Sequence, residues 1–182
     1  RYKHACKQCP GGYYSPDSSS TACTACLRGL YSNVVASNSS NECLKCKNGQ
    51  VNSLTGQTKC SPCEAGYYSS ESGEKKCTKC QAGKYEGSTG GIKCSDCGRG
   101  EFALARASVC TKCPKGFYSG ELAASSLSNC KDCKAGTYST EKGVTSLNGC
   151  LQCSPGTYST TLAATNATVC KECDKGRWSA NS

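Results

Sequence analysis

Residues 130–139 read Cys130-Lys131-Asp132-Cys133-Lys134-Ala135-Gly136-Thr137-Tyr138-Ser139. Twenty residues later, Cys150-Leu151-Gln152-Cys153-Ser154-Pro155-Gly156-Thr157-Tyr158-Ser159 sets out the same frame. Working outward from this pair, the frame recurs along the whole chain of 182 residues. Cys-x-x-Cys pairs open at Cys6, Cys23, Cys43, Cys60, Cys77, Cys94, Cys110, Cys130, Cys150 and Cys170, at intervals of 17, 20, 17, 17, 17, 16, 20, 20 and 20 residues. The short and long periods differ by about three residues, the size of one loop insertion. The repeats therefore span 6–22, 23–42, 43–59, 60–76, 77–93, 94–109, 110–129, 130–149 and 150–169, followed by 170–182, which reads as the opening of a tenth repeat cut before its closing cysteine.

Two positions inside the frame are stricter than its length. A glycine stands three residues after each second cysteine, from Gly12 to Gly176. It can adopt positive φ and turn the backbone tightly beside a bridge. Two residues on comes an aromatic: Tyr14, Tyr31, Tyr68, Tyr85, Phe102, Tyr118, Tyr138, Tyr158 and Trp178, with Val51 as the exception. An aromatic there has β propensity and a broad face to lay on a disulfide, a small plug between successive bridges. The third repeat (Val51, Asn52) and the sixth (Phe102, Ala103) depart from the pattern and are expected to pack differently. The remainder is Ser, Thr, Asn, Gly and Lys, which reads as loop. The expected fold is small and disulfide-rich: tandem short β-hairpin and loop modules with little regular secondary structure, forming an elongated rod or superhelix.

Composition supports this. Leu, Ile, Val and Phe together supply 19 of 182 residues and Met is absent, too few for an ordinary core. The 20 cysteines take its place. Disulfides persist in oxidising compartments, which places the chain outside the cell or on its surface. No apolar run approaches the length of a membrane span. The net charge of +9 is scattered, which favours a solvated surface, with an anionic polysaccharide as a weak partner; nucleic acid is disfavoured by the compartment.

The pattern C-x-x-C-x-x-G-x-Y-S, as in Cys133–Ser139 and Cys153–Ser159, resembles the ephrin-receptor-like cysteine-rich repeat family, and also the first hairpin module of tumour-necrosis-factor-receptor cysteine-rich domains. The resemblance covers the whole chain. It implies a fold; repeats of this kind occur in receptors, adhesins and surface or fibre proteins of protists and algae.

Repeat uniformity favours a sequential ladder in which the second cysteine of one pair bonds the first of the next: Cys9 to Cys23, Cys26 to Cys43, Cys46 to Cys60, Cys63 to Cys77, Cys80 to Cys94, Cys97 to Cys110, Cys113 to Cys130, Cys133 to Cys150 and Cys153 to Cys170. Cys6 and Cys173 would then pair outside the segment. The rival scheme joins first to first and second to second, starting with Cys6 to Cys23, and requires alternate repeats to differ in kind. Each closed loop of about 15 residues contributes roughly 3 kcal/mol in the chain-entropy account. A third chemistry, zinc held by four thiolates, meets the spacing but not the uniformity of the linkers.

No catalytic set can be assembled around the single histidine, His4, and the acidic residues stand singly; no enzyme and no cofactor is expected. Asn38 and Asn166 lie in N-glycosylation sequons on the long loops. The leading functional reading is an extracellular stalk, fibre or surface-coat element, glycosylated and part of a longer array, with neighbouring copies or further repeats as partners. A receptor or adhesion ectodomain is the alternative, for which Asn33-Val34-Val35 and Phe102-Ala103-Leu104-Ala105 are the apolar loops to examine. The chain is expected to extend in one dimension, with a radius of gyration at least about twice the roughly 16 Å of a compact chain, because one aromatic and two bridges fix a module to its immediate neighbour and to nothing further.

Overall fold

The computed structural model describes residues 6–179. His4 lies outside them, as do the last three residues of the tenth repeat. The described residues fall into two units, one running to Lys79 and taking in Glu86–Cys94, the other comprising Cys80–Tyr85 and continuing from Ser95.

Both units are built from the same hairpin. Among the described residues there are nine two-stranded antiparallel sheets, each strand two residues long. The first strand is the aromatic, or Val51 in the third repeat, and the residue before it; the second is the pair enclosed by Cys-x-x-Cys. Thus Tyr13–Tyr14 pairs with Thr24–Ala25 in the first unit, and Thr137–Tyr138 with Leu151–Gln152 in the second. Strands this short are marginal by themselves. What pins them is the covalent frame: in every hairpin but the last, which ends at the free Cys173, the second strand sits between two bridged cysteines, and the second cysteine donates its N–H to the frame glycine, as in Cys26 to Gly12 O at 2.8 Å and Cys133 to Gly116 O at 2.8 Å.

The bridges join Cys9–Cys23, Cys26–Cys43, Cys46–Cys60 and Cys63–Cys77 in the first unit, and Cys97–Cys110, Cys113–Cys130, Cys133–Cys150 and Cys153–Cys170 in the second. Cys80 and Cys94 are disulfide-bonded as well. Cys6 is a free, exposed thiol and Cys173 a free, half-buried one.

The difference between short and long periods has a structural identity. Each 20-residue repeat carries one 3-10 turn directly before the next cysteine: Ser40–Glu42, Leu127–Asn129, Leu147–Gly149 and Ala167–Val169. The 17-residue repeats have none among the described residues. In each turn the following cysteine closes the last hydrogen bond, Cys43 to Ser40 O and Cys150 to Leu147 O for example. Ser39 and Asn166 cap two of the turns with their side chains, satisfying backbone donors that a short turn leaves open. The insertion is thus a self-contained turn that leaves the rest of the module untouched.

The core is made of sulfur and small polar residues. The second cysteine of the pairs from Cys9 to Cys153 is buried throughout, at 0% exposure for Cys46, Cys63, Cys97, Cys113 and Cys133. Beside it lies the serine that follows the aromatic; Ser32, Ser69, Ser119, Ser139 and Ser159 are all buried. The aromatics themselves are only half-covered, and Tyr158 and Trp178 are exposed. The interior between successive bridges is therefore filled by serine and cystine, with the rings on its flank. In the third repeat the position is filled by Val51 and Asn52, both buried, and in the sixth by buried Ala103.

Candidate functional site

The features that recur from module to module lie at the joint between one module and the next. Three backbone hydrogen bonds form it. First, the frame glycine donates to the carbonyl of the residue after the next aromatic: Gly12 to Ser32 and Gly49 to Ser69 in the first unit, Gly100 to Ser119 and Gly116 to Ser139 in the second, over 2.6–3.0 Å. Second, the residue after the aromatic donates forward, as in Ser32 to Gln57 O and Ser119 to Val144 O. Third, in the second to ninth repeats a loop residue donates back to the carbonyl of the buried cysteine of the module before: Ala36 to Cys9, Gly56 to Cys26, Gly73 to Cys46 and Gly90 to Cys63, then Arg106 to Cys80, Ala123 to Cys97, Gly143 to Cys113 and Ala163 to Cys133, over 2.7–3.0 Å.

That third donor is a position the sequence reading passed over. All eight residues hold positive φ, from 52° at Ala123 and Ala163 to 82° at Gly73. The left-handed conformation turns the loop so that N–H points at the cysteine carbonyl. For the alanines and Arg106 it carries a steric cost on the order of 1–2 kcal/mol each, because Cβ crowds the carbonyl oxygen. The signal was available: Gly56, Gly73, Gly90 and Gly143 each stand five residues after the strand position occupied by Val51, Tyr68, Tyr85 and Tyr138. In the 16-residue repeat the missing residue falls between Phe102 and Arg106, so every change of length is absorbed outside the hydrogen-bonding atoms.

The joint also reaches past the immediate neighbour, which corrects the expectation of purely neighbour-to-neighbour contact. A Cβ on Gly29 would lie 2.1 Å from the carbonyl oxygen of Gly73, two repeats on. In the second unit, Gly116 stands in the same relation to Ala163. The frame glycine is required twice over, by φ of +83° and +81° and by this approach. The expectation failed because it counted side chains; the module two steps away is reached by backbone, which composition does not reveal.

The buried serines turn their own loops. Ser69 Oγ donates to Glu71 O at 3.2 Å and Ser159 Oγ accepts from Thr161 N at 3.1 Å. No buried side-chain nitrogen or oxygen lacks a partner among the described residues. Asn52 replaces this local turn with a link to the module before it, donating through Nδ2 to Leu30 O at 3.0 Å.

The remaining candidate residues are at the surface. Asn38 and Asn166 are exposed. Asn166 Oδ1 accepts from Thr168 N at 3.0 Å, leaving Nδ2 toward the loop surface residue Thr165. Cys6 and Asn38 come together at one groove of about 670 Å³, with Lys7, Asp17 and Ser37 on its walls. Of the apolar loops, Val34, Val35 and Leu104 are exposed, whereas Phe102 is half-covered and Ala103 buried. Lys84 pairs with Asp96 across one hairpin. All 18 cysteines from Cys9 to Cys170 are in disulfides, which leaves no four-thiolate zinc set among them. No helix among the described residues is long and apolar enough to cross a membrane.

A family model described as tyrosine-protein kinase ephrin type A/B receptor-like matches residues 2–43 and 49–97. No curated protein matches the chain.

Proposed function

The chain belongs to the ephrin-receptor-like cysteine-rich family, and on that premise we propose that it is a structural element of an extracellular stalk, fibre or surface coat rather than the ligand-reading part of a receptor. The disulfides and the family indicate an extracellular setting. The observation that carries the structural reading is the use made of the repeated positions. The frame glycine, the buried serine position and the left-handed loop residue all serve the joint between modules, and the loops left facing solvent vary in length and carry single exposed apolar side chains, such as Leu54, Leu122 and Leu162, spread over several modules rather than gathered in one. Such a joint adds modules without limit and reserves no module for recognition.

Within this reading Asn38 and Asn166 carry N-glycans, and Cys6 and Cys173 close bridges to partners beyond the segment: further repeats of the parent chain or neighbouring copies. An anionic polysaccharide is a weaker partner for the scattered positive charge.

Non-reducing peptide mapping of native material, combined with immunogold localisation, tests this. The structural reading expects the chain in an extended extracellular assembly, with Cys6 or Cys173 in bridges to residues outside 1–182. The receptor reading is favoured by the exposure of Val34, Val35 and Leu104. It expects a soluble ligand to bind the isolated chain saturably at one of those loops, and that result would overturn the structural reading.

A further inference from the structure

We propose that the oxidised chain is a tension-bearing tether in which load runs through the sulfurs and, within each unit, bypasses the folded loops that the sequential bridges close. The argument rests on the order of the bridges. In the first unit the four bridges are closed one after another, none nested in another, and each begins three residues after the last one ends: Cys23 to Cys26, Cys43 to Cys46, Cys60 to Cys63. A pull on Cys9 and Cys77 therefore follows a continuous covalent line of bridge, short joint and bridge. The same holds from Cys97 to Cys170 in the second unit.

The two paths differ greatly in length. With Cα–Cα distances of 5.6–5.7 Å across each bridge, the sulfur line from Cys9 to Cys77 is taut at about 55 Å, against about 240 Å for the same stretch unbridged. From Cys97 to Cys170 the figures are about 55 Å and about 255 Å. Noncovalent resistance by itself is small here, because each hairpin is two residues long and marginal. The ladder removes that weakness. The parts of each module that hold the aromatic, the buried serine and the left-handed turn lie inside the closed loops and bear no load. The joint residues, such as Thr24–Ala25, are the ones that lie on the line of force, and they are already extended as strands. The joint geometry that lets a module dock and the sulfurs that carry tension are thereby separated.

This deepens the structural reading above, and its test stands apart from it. The chain is held by tags at both ends in a force-clamp instrument, first oxidised and then in dithiothreitol, which converts a bridge to two thiols as it closes to its own cyclic disulfide. The oxidised chain is expected to show no single lengthening of 40 Å or more. In dithiothreitol the eight bridges named here are expected to release their loops one at a time in two classes, in addition to any release at Cys80 and Cys94. Cys26–Cys43, Cys113–Cys130, Cys133–Cys150 and Cys153–Cys170, of separation 17, give steps of about 54 Å. The bridges of separation 13 and 14 give steps of about 40–43 Å. Replacing Cys26 and Cys43 by Ser together should add about 54 Å to the oxidised contour and remove one long step; Cys113→Ser with Cys130→Ser is the matching variant in the second unit. Large steps in the oxidised chain, or an unchanged contour in both double variants, would overturn the tether. A receptor role would leave these curves as expected and would be seen only in the localisation and binding experiments.

Discussion

The carbonyl oxygen of Ala163 lies 2.1 Å from the point where a Cβ on Gly116 would stand, though a whole module, 130–149, separates their own modules in the chain. The approach is as close at Gly29 and Gly73 in the other unit. A module thus packs against the neighbour after next as well as against the next, backbone to backbone with no side chain intervening.

Gly116→Ala is therefore expected to destabilise its module by about 3 kcal/mol or more, since it adds a backbone clash to the cost of positive φ. Gly156 is the control. Its φ of +80° matches, but nothing lies within 4 Å of its Cβ direction. Gly156→Ala should cost only about 1–2 kcal/mol. Hydrogen exchange of the oxidised protein, read at the cysteine N–H that bonds each glycine carbonyl, gives the local opening energies. Equal losses at both sites would show that the approach to Ala163 contributes nothing.

The left-handed loop position makes an opposite prediction. Ala123 and Ala163 sit at φ 52°. Ala123→Gly relieves about 1–2 kcal/mol of steric cost and adds back about 0.4–1 kcal/mol of unfolded-chain entropy, for a net gain of up to about 1.6 kcal/mol. Ala123→Val should be destabilising, because a β-branched residue tolerates positive φ worst. The readout is exchange of the residue-123 N–H, which donates to Cys97 O.

Removal of Leu147–Gly149 is expected to convert a 20-residue repeat into a 17-residue one without loss of fold. The turn is closed on itself by Cys150, and the loop already spans a separation of 14 at Cys9–Cys23, Cys46–Cys60 and Cys63–Cys77. Non-reducing peptide mapping should still find Cys133 joined to Cys150. A scrambled partner or a free thiol there would mean that the turn is needed for pairing.

Asn52→Ala should cost about 1–2 kcal/mol at the joint with the second repeat, because it leaves Leu30 O without its amide donor. Asn52→Ser supplies the usual local turn in place of that link and should recover part of the loss. Thermal melts of the two variants against the parent chain rank them; an alanine variant as stable as the parent would show that the link to Leu30 carries no weight.

Glycan occupancy is the last expectation. Asn38 and Asn166 are both exposed, and expression in a glycosylating host should give N-glycans at both. Deglycosylation with isotope labelling at the asparagine reads occupancy site by site, and a bare Asn166 would indicate that its turn-capping bond to Thr168 withholds the side chain from modification.

The fold class was legible because the cysteine frame is periodic and the apolar content is too low for anything else: Cys133, Gly136, Tyr138 and their equivalents state the module by themselves. So was the place of each insertion, to within a loop. Tertiary structure decided what the frame residues touch. Sequence reading gave the interior to the aromatics, since rings are the largest apolar groups present, yet Tyr158 is exposed while Ser159 is buried. The cause is distance. When buried backbone from successive modules is hydrogen-bonded at 2.6–3.0 Å, the side chain between is small, serine or alanine in most modules and Asn52 in the third repeat, and a ring lies outside. Likewise Ala123 and Ala163 look like ordinary loop residues in sequence. Their left-handed turns are imposed by carbonyls of Cys97 and Cys133 in the preceding modules, an instruction that exists only once the modules have docked.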